Sequence, residues 1–80
     1  MTYSETIINR LNDMIFQKRI TVNRLAILSG ISQSTLENII KGKSKNPSLK
    51  TLHRISQGLG ITVSQLLDFP EINETVFEDE

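Results

Sequence analysis

Short amphipathic stretches alternate with short polar breaks along this chain, and the apolar residues recur at helical spacing. Ile8, Leu11 and Ile15 lie three and four residues apart, flanked by Ile7 and Met14. They predict a helix from Ser4 or Glu5 to about Lys18, with that stripe facing a core. Ser4 is placed to cap it, Glu5 sits near the positive end of its dipole, and Lys18 and Arg19 suit the negative end. Ile20 starts a short link. Thr21 caps a second helix from Val22 to Ser29, and Ser32 caps a third from Gln33 to Lys41. Gly42 stops the third helix, and Lys43, Ser44, Lys45 and Asn46 make a polar loop. Asn46 precedes Pro47, which disfavours helix there. Ser48 caps a fourth helix with Leu49, Leu52, Ile55 and Leu59 on one face, bracketed at its end by Gly58 and Gly60. Thr62 opens a fifth, in which Thr62 and Gln65 fit a capping box, with Leu66 and Leu67 pointing inward. Pro70 closes the compact region. Only the apolar stretch from Thr75 to Phe77 is ambiguous with a strand. There is no internal repeat and no low-complexity segment. The expected fold is all-α, a globule of five short helices.

The stretch TVNRLAILSGISQSTLENIIK, residues 21–41, organises the rest. Two short helices joined by a tight turn cross steeply and nearly touch. Ala26 supplies a small side chain where they approach. Gly30 takes the left-handed conformation that ends the first of the pair. Leu25, Ile31, Leu36 and Ile39 are the apolar contacts on both sides of the turn. A helix-turn-helix reads this pattern best; an αα-corner in a small bundle is built from the same pieces.

Composition narrows the function. Eighty residues make one domain with a small core. With no cysteine there is no disulfide, thiolate metal site or cysteine nucleophile. No apolar run approaches the length of a spanning helix, and MTYSETIINR is not a signal peptide, so a cytoplasmic protein with no membrane partner is the expectation. The net charge of zero hides an asymmetry. Residues 1–70 hold nine bases and four acids, a net of +5, whereas residues 71–80 hold five acids and no base. A basic body suits a polyanionic partner. The organisation expected is therefore a body at 1–70 and an acidic tail at 71–80, which either solubilises the chain or lies on the basic face.

The order of motifs resembles the phage repressor and Cro-like helix-turn-helix proteins, also called the XRE family. The resemblance runs from about Ile8 to Phe69. It rests on Leu25-Ala26 four residues before Gly30, a polar helix, Lys41-Gly42-Lys43, the run PSLKTLHRI and the run LGITVSQLL. It implies a lambda-repressor-like domain that binds double-stranded DNA as a homodimer, with the third helix in the major groove and the second across the backbone. Base contacts are implied for Gln33, Ser34, Thr35 and Asn38, with Lys41 further along. Their chemistry agrees: Gln and Asn make paired bonds to adenine N6 and N7, and Ser or Thr bonds a purine or touches a thymine methyl. Phosphate contacts are expected from Thr21, from the amides of Val22 and Asn23 at the start of the second helix, and from Lys43, Ser44 and Lys45. Lys50 and Arg54 are exposed bases whose reach to DNA is open.

Departures from the family pattern carry expectations of their own. The position opening the second helix is often a Gln that braces the first base-reading residue; here it is Val22. A buried Arg–Glu pair common in the family falls on Ile15 and Ile40, so an apolar contact replaces it, avoiding the desolvation of two charges. Ile27 and Leu28 stand where polar residues are usual and, with Phe16, would form an exposed apolar patch. Ile72, Val76 and Phe77 make the tail a candidate to cover it.

An enzyme is the weakest reading. The single histidine, His53, lies among expected core positions with no acid–nucleophile set, and neither a glycine-rich phosphate loop nor metal-ligand spacing is present. No cofactor, metal or small-molecule effector is expected. The leading function is a sequence-specific DNA-binding transcriptional regulator acting by occlusion or recruitment, with repression the commoner outcome for a bare domain. The alternative is a protein-interaction module, such as an antitoxin-like partner, built on the same scaffold.

Overall fold

The first helix begins ahead of its apolar stripe. In the computed structural model, which describes residues 2–75 and residue 77, α1 runs Tyr3–Lys18. Its cap is Thr2, not Ser4. The Thr2 hydroxyl accepts from the Glu5 amide at 3.2 Å, and the Glu5 carboxylate accepts from the Thr2 amide at 3.3 Å. This closes a capping box. Ser4 is the second residue of the helix and is buried, as is Thr6. The core-facing stripe is Ile7, Leu11 and Met14, whereas Ile8 and Ile15 are half-buried on its flank. The expected stripe was out of phase by one residue, because Ile7-Ile8 and Met14-Ile15 are adjacent apolar pairs and spacing alone does not choose between them.

Helix α2 is Val22–Ser29 and α3 is Gln33–Ile40, with Lys41 as the C-cap of α3. Thr21 and Ser32 cap them as expected, each hydroxyl accepting an amide at 3.0 Å. Gly30 sits at φ 68°, left-handed, and its N–H reaches the carbonyl of Ile27 at 3.2 Å. Ala26 is buried in the crossing. Helix α4, Leu49–Gly58, is capped by Ser48, and α5, Val63–Leu67, by the Thr62–Gln65 box.

The core joins Leu25, Leu36, Ile39, Leu52, Ile55, Leu59 and Leu66 to the α1 stripe. Ile15 and Ile40 are both half-buried against this core, not in solvent. The most extensive packing is α2 on α4. It is tightest at Gly58: a Cβ there would run into the Ser29 hydroxyl and lie 3.0 Å from the Ser29 amide nitrogen and 3.1 Å from Leu25 Cδ1. Two expectations for α4 fail. Leu49 is 66% exposed, because the first residue of the helix projects beyond the core. His53 is exposed too, one position off the face defined by Leu52, Ile55 and Ser56.

Pro70 does not close the compact region. It is the first residue of a sixth helix, α6, Pro70–Glu74. Proline suits that position because its missing N–H would have no intrahelical partner. α6 lies on α1, and Ile72 packs against the core. The Thr75 hydroxyl donates to the Glu71 carbonyl at 2.5 Å and lies 3.4 Å from that of Thr6. Phe77 stacks on Tyr3, ring centroids 5.7 Å apart. This segment thus folds back onto α1, not onto Ile27 and Leu28. Val76 lies outside the described residues. No strand occurs among the described residues, so the all-α expectation holds with one helix more.

Candidate nucleic-acid interface

Helix α3 presents a polar face because its apolar positions are used up on the core. Leu36 and Ile39 are buried and Ile40 is half-buried. At roughly 100° per residue, the opposite arc is centred on Ser34 and Lys41, with Asn38 beside them and Gln33 at one edge. All four are exposed. Thr35 is exposed as well but lies at the other edge, towards the capping residue. Its hydroxyl is 2.7 Å from that of Ser32, and the Ser34 hydroxyl is 3.2 Å from it. A hydroxyl has one donor and two lone pairs, so both keep acceptor capacity outward. The five expected base-reading residues therefore share one helix, Ser34, Asn38 and Lys41 on one face, with Gln33 and Thr35 at its two rims.

Gln33 is held. Its Nε2 donates to Glu37 Oε1 at 2.8 Å, and Glu37 Oε2 lies 3.7 Å from the Lys41 ammonium. Glu37 was not among the expected site residues. The signal for it lay in the sequence: Gln, Glu and Lys at 33, 37 and 41 are four apart and must adjoin on a helix.

The loop after α3 doubles back on the helix end. The amides of Lys43 and Ser44 both donate to the Asn38 carbonyl, at 2.9 and 3.0 Å, and Gly42 donates to Ile39 at 3.1 Å. Lys43 and Lys45 are thereby left exposed just past α3, while Ser44 is half-buried. Lys41 and Lys45 share the wall of a groove with Ser4, Glu5 and Ile8 of α1. At the other end of the motif, the Thr21 hydroxyl is taken by the Arg24 amide. The amides of Val22 and Asn23 lie in the first turn of α2, ahead of the intrahelical ladder. The Val22 side chain packs against the core and offers no hydrogen bond. Lys50 and Arg54 are exposed on α4.

A second unexpected residue is Arg10. Its Nε donates to the Leu66 carbonyl at 3.0 Å and Nη2 to that of Gln65 at 2.8 Å, with the guanidinium 4.9 Å from the centroid of Phe69. It ties α1 to the end of α5. Sequence spacing could not have found it, since the partners are backbone atoms more than fifty residues away.

The family model of the Cro/C1-type helix-turn-helix DNA-binding domain matches residues 10–71. The chain belongs to that family. Double-stranded DNA is the partner that this membership supports. Over 52 residues this Cro/C1-type chain is 36% identical to the HTH-type transcriptional regulator SlrR of Bacillus subtilis (strain 168), covering 65% of the chain and 34% of the regulator. It thus spans about a third of that relative's length. It also superposes on the crystal structure of the prophage Lp1 protein 11 with a TM-score of 0.77 and 38% identity, covering 90% of this chain and 95% of that one. The matched region includes α2, α3 and the loop at 41–48, so the polar face of α3 lies within the part that defines the family. No helix among the described residues is long and apolar enough to cross a membrane, and none of their acidic or histidine side chains group as a metal site.

Proposed function

We propose that this Cro/C1-type domain binds a specific double-stranded DNA site as a homodimer and regulates transcription, repressing by occlusion. The observation that carries the reading is the exposed polar face of α3, Gln33, Ser34, Asn38 and Lys41, beside the exposed Lys43 and Lys45. α3 enters the major groove with those side chains and Thr35 towards base edges, while Thr21, the amides of Val22 and Asn23, and Lys43, Ser44 and Lys45 meet phosphates. Dimerisation through α5 and residues 67–70 is part of the proposal; Leu67 is the half-buried apolar side chain there. A protein of this chemistry works in the cytoplasm.

The test is selection from a random duplex pool, with the winning site titrated at two salt concentrations. A two-fold-symmetric site with half-sites about 10 base pairs apart is expected. With about four to six phosphates neutralised, affinity falls with salt at a log–log slope of about −3.6 to −5.4. A second reading, a protein-interaction module, is favoured by three exposed apolar side chains, Phe16 (84%), Ile27 (60%) and Leu28 (46%). Replacing Lys43 and Lys45 by Gln separates the two: it abolishes DNA binding and spares a protein partner.

A further inference from the structure

Gln33 opens α3, and its amide is hydrogen-bonded to Glu37. A glutamine side chain carries an acceptor oxygen and a nitrogen with two N–H donors, so an unheld amide presents either pattern to a base edge by turning over. Glu37 removes that ambiguity. An ionised carboxylate only accepts, so the bond between Glu37 Oε1 and the Gln33 side chain, 2.8 Å long, has to come from Nε2. One N–H is thereby committed, which leaves one N–H and the carbonyl oxygen for a ligand. That pair is what adenine requires in the major groove, a donor for N7 and an acceptor for the N6 amino group. Guanine offers two acceptors, N7 and O6, and meets the carbonyl oxygen of a held Gln33 unfavourably. The carboxylate is itself held from the other side by the Lys41 ammonium, 3.7 Å from Oε2. Val22, at the position opening α2, is apolar and half-buried against the core, so it offers Gln33 no hydrogen bond.

We infer that Glu37 is a positioning residue for base selection: it fixes the amide of Gln33 so that the chain reads adenine at the base pair Gln33 faces. The inference rests on the DNA-binding reading above. It adds that specificity at one position is set by a residue that need not touch the base. Glu37→Gln preserves shape but converts the partner into one that can donate as well as accept. Gln33 then turns over, and its two N–H groups suit guanine.

The experiment compares wild type, Glu37→Gln, Gln33→Ala and the double variant Gln33→Ala/Glu37→Gln by selection from a random pool, followed by titration of sites differing only at the Gln33 position. Wild type is expected to select adenine there. Glu37→Gln lowers the preference for adenine over guanine about tenfold, within the range one bidentate contact supplies, and leaves the preference at the Asn38 position unchanged. In the Gln33→Ala background the Glu37 substitution changes nothing further at that position. If Glu37→Gln keeps the adenine preference, or weakens all sites equally, Glu37 is only a structural residue and the inference is overturned. If wild type enriches no sequence, the DNA-binding reading fails and the inference with it; a wild type that enriches a site separates the two failures.

Discussion

Gly30 and Gly58 are the same residue type kept for opposite physical reasons, and substitution by Ala tells them apart. Gly30 lies at φ 68° with open space where a Cβ would go. Its cost on substitution is backbone strain alone, about 1–2 kcal/mol for a left-handed Ala. Gly58 has ordinary helical geometry, but its Cβ would press on Ser29 and Leu25. Over-packing there costs about 1–3 kcal/mol, offset by roughly 1 kcal/mol of better helix propensity. Thermal melting should show Gly30→Ala lowered by about 4–16 °C and Gly58→Ala by up to about 16 °C for a domain of this size. Ser29→Ala is the discriminating partner. It should recover part of the loss in Gly58→Ala and none in Gly30→Ala. Alone it should be neutral or slightly stabilising, because the Ser29 hydroxyl is buried with no hydrogen-bond partner among the described residues. Equal recovery in both backgrounds would show that the α2–α4 approach is not the constraint.

Elements that cap themselves were legible in the sequence, and elements that need a distant partner were not. Thr21, Ser32, Ser48 and Thr62 each bond to an amide three residues on, so the code lies within one turn. The Thr2–Glu5 box is equally local and was displaced only because Ser4 is also a competent cap. The phase of α1, the exposure of Leu49 and His53, and the helical fate of Pro70 depend on what the rest of the chain covers. At the site, the identity of the α3 face was readable from the buried positions of its own helix. Glu37 reads in the sequence as a surface charge, and only its bond to Gln33 gives it a place beside that face.

Arg10 is the element-scale case of a distant partner. It satisfies two carbonyls at the end of the five-residue helix α5 and lies over Phe69. Arg10→Met keeps the stem but removes the donors. About 1–2 kcal/mol of stability should be lost, from two charge-assisted bonds at a half-buried site and the ring contact. Hydrogen exchange should report it locally, with the amides of Leu66 to Phe69 deprotected before those of α2 and α3. Uniform deprotection would mean that α5 is not held separately.

At the scale of the whole molecule, the segment after Phe69 combines packing and charge, and two truncations separate them. Ile72, Thr75 and Phe77 are held against the core, the Thr6 hydroxyl and the Tyr3 ring. Glu78, Asp79 and Glu80 bring three negative charges to a chain whose first seventy residues carry +5. A chain ending at Phe77 keeps those contacts and moves the net charge from zero to +3. It should melt close to the full chain yet bind DNA more tightly at low salt. The difference should fade near 0.5 M salt, where the screening length falls to roughly 4 Å. A chain ending at Phe69 also exposes the part of the core under Ile72. It should lose about 1–2 kcal/mol, from the buried area of one half-covered Ile and its neighbours, and melt about 5–15 °C lower. Melting curves and salt titrations of the three lengths decide between the roles. If the chain ending at Phe69 melts like the full chain, α6 contributes nothing to the fold. If the chain ending at Phe77 binds DNA no more tightly at low salt, the terminal acids do not oppose the phosphates. Stability and affinity moving together at both cuts would mean that packing and charge are not separable in this segment.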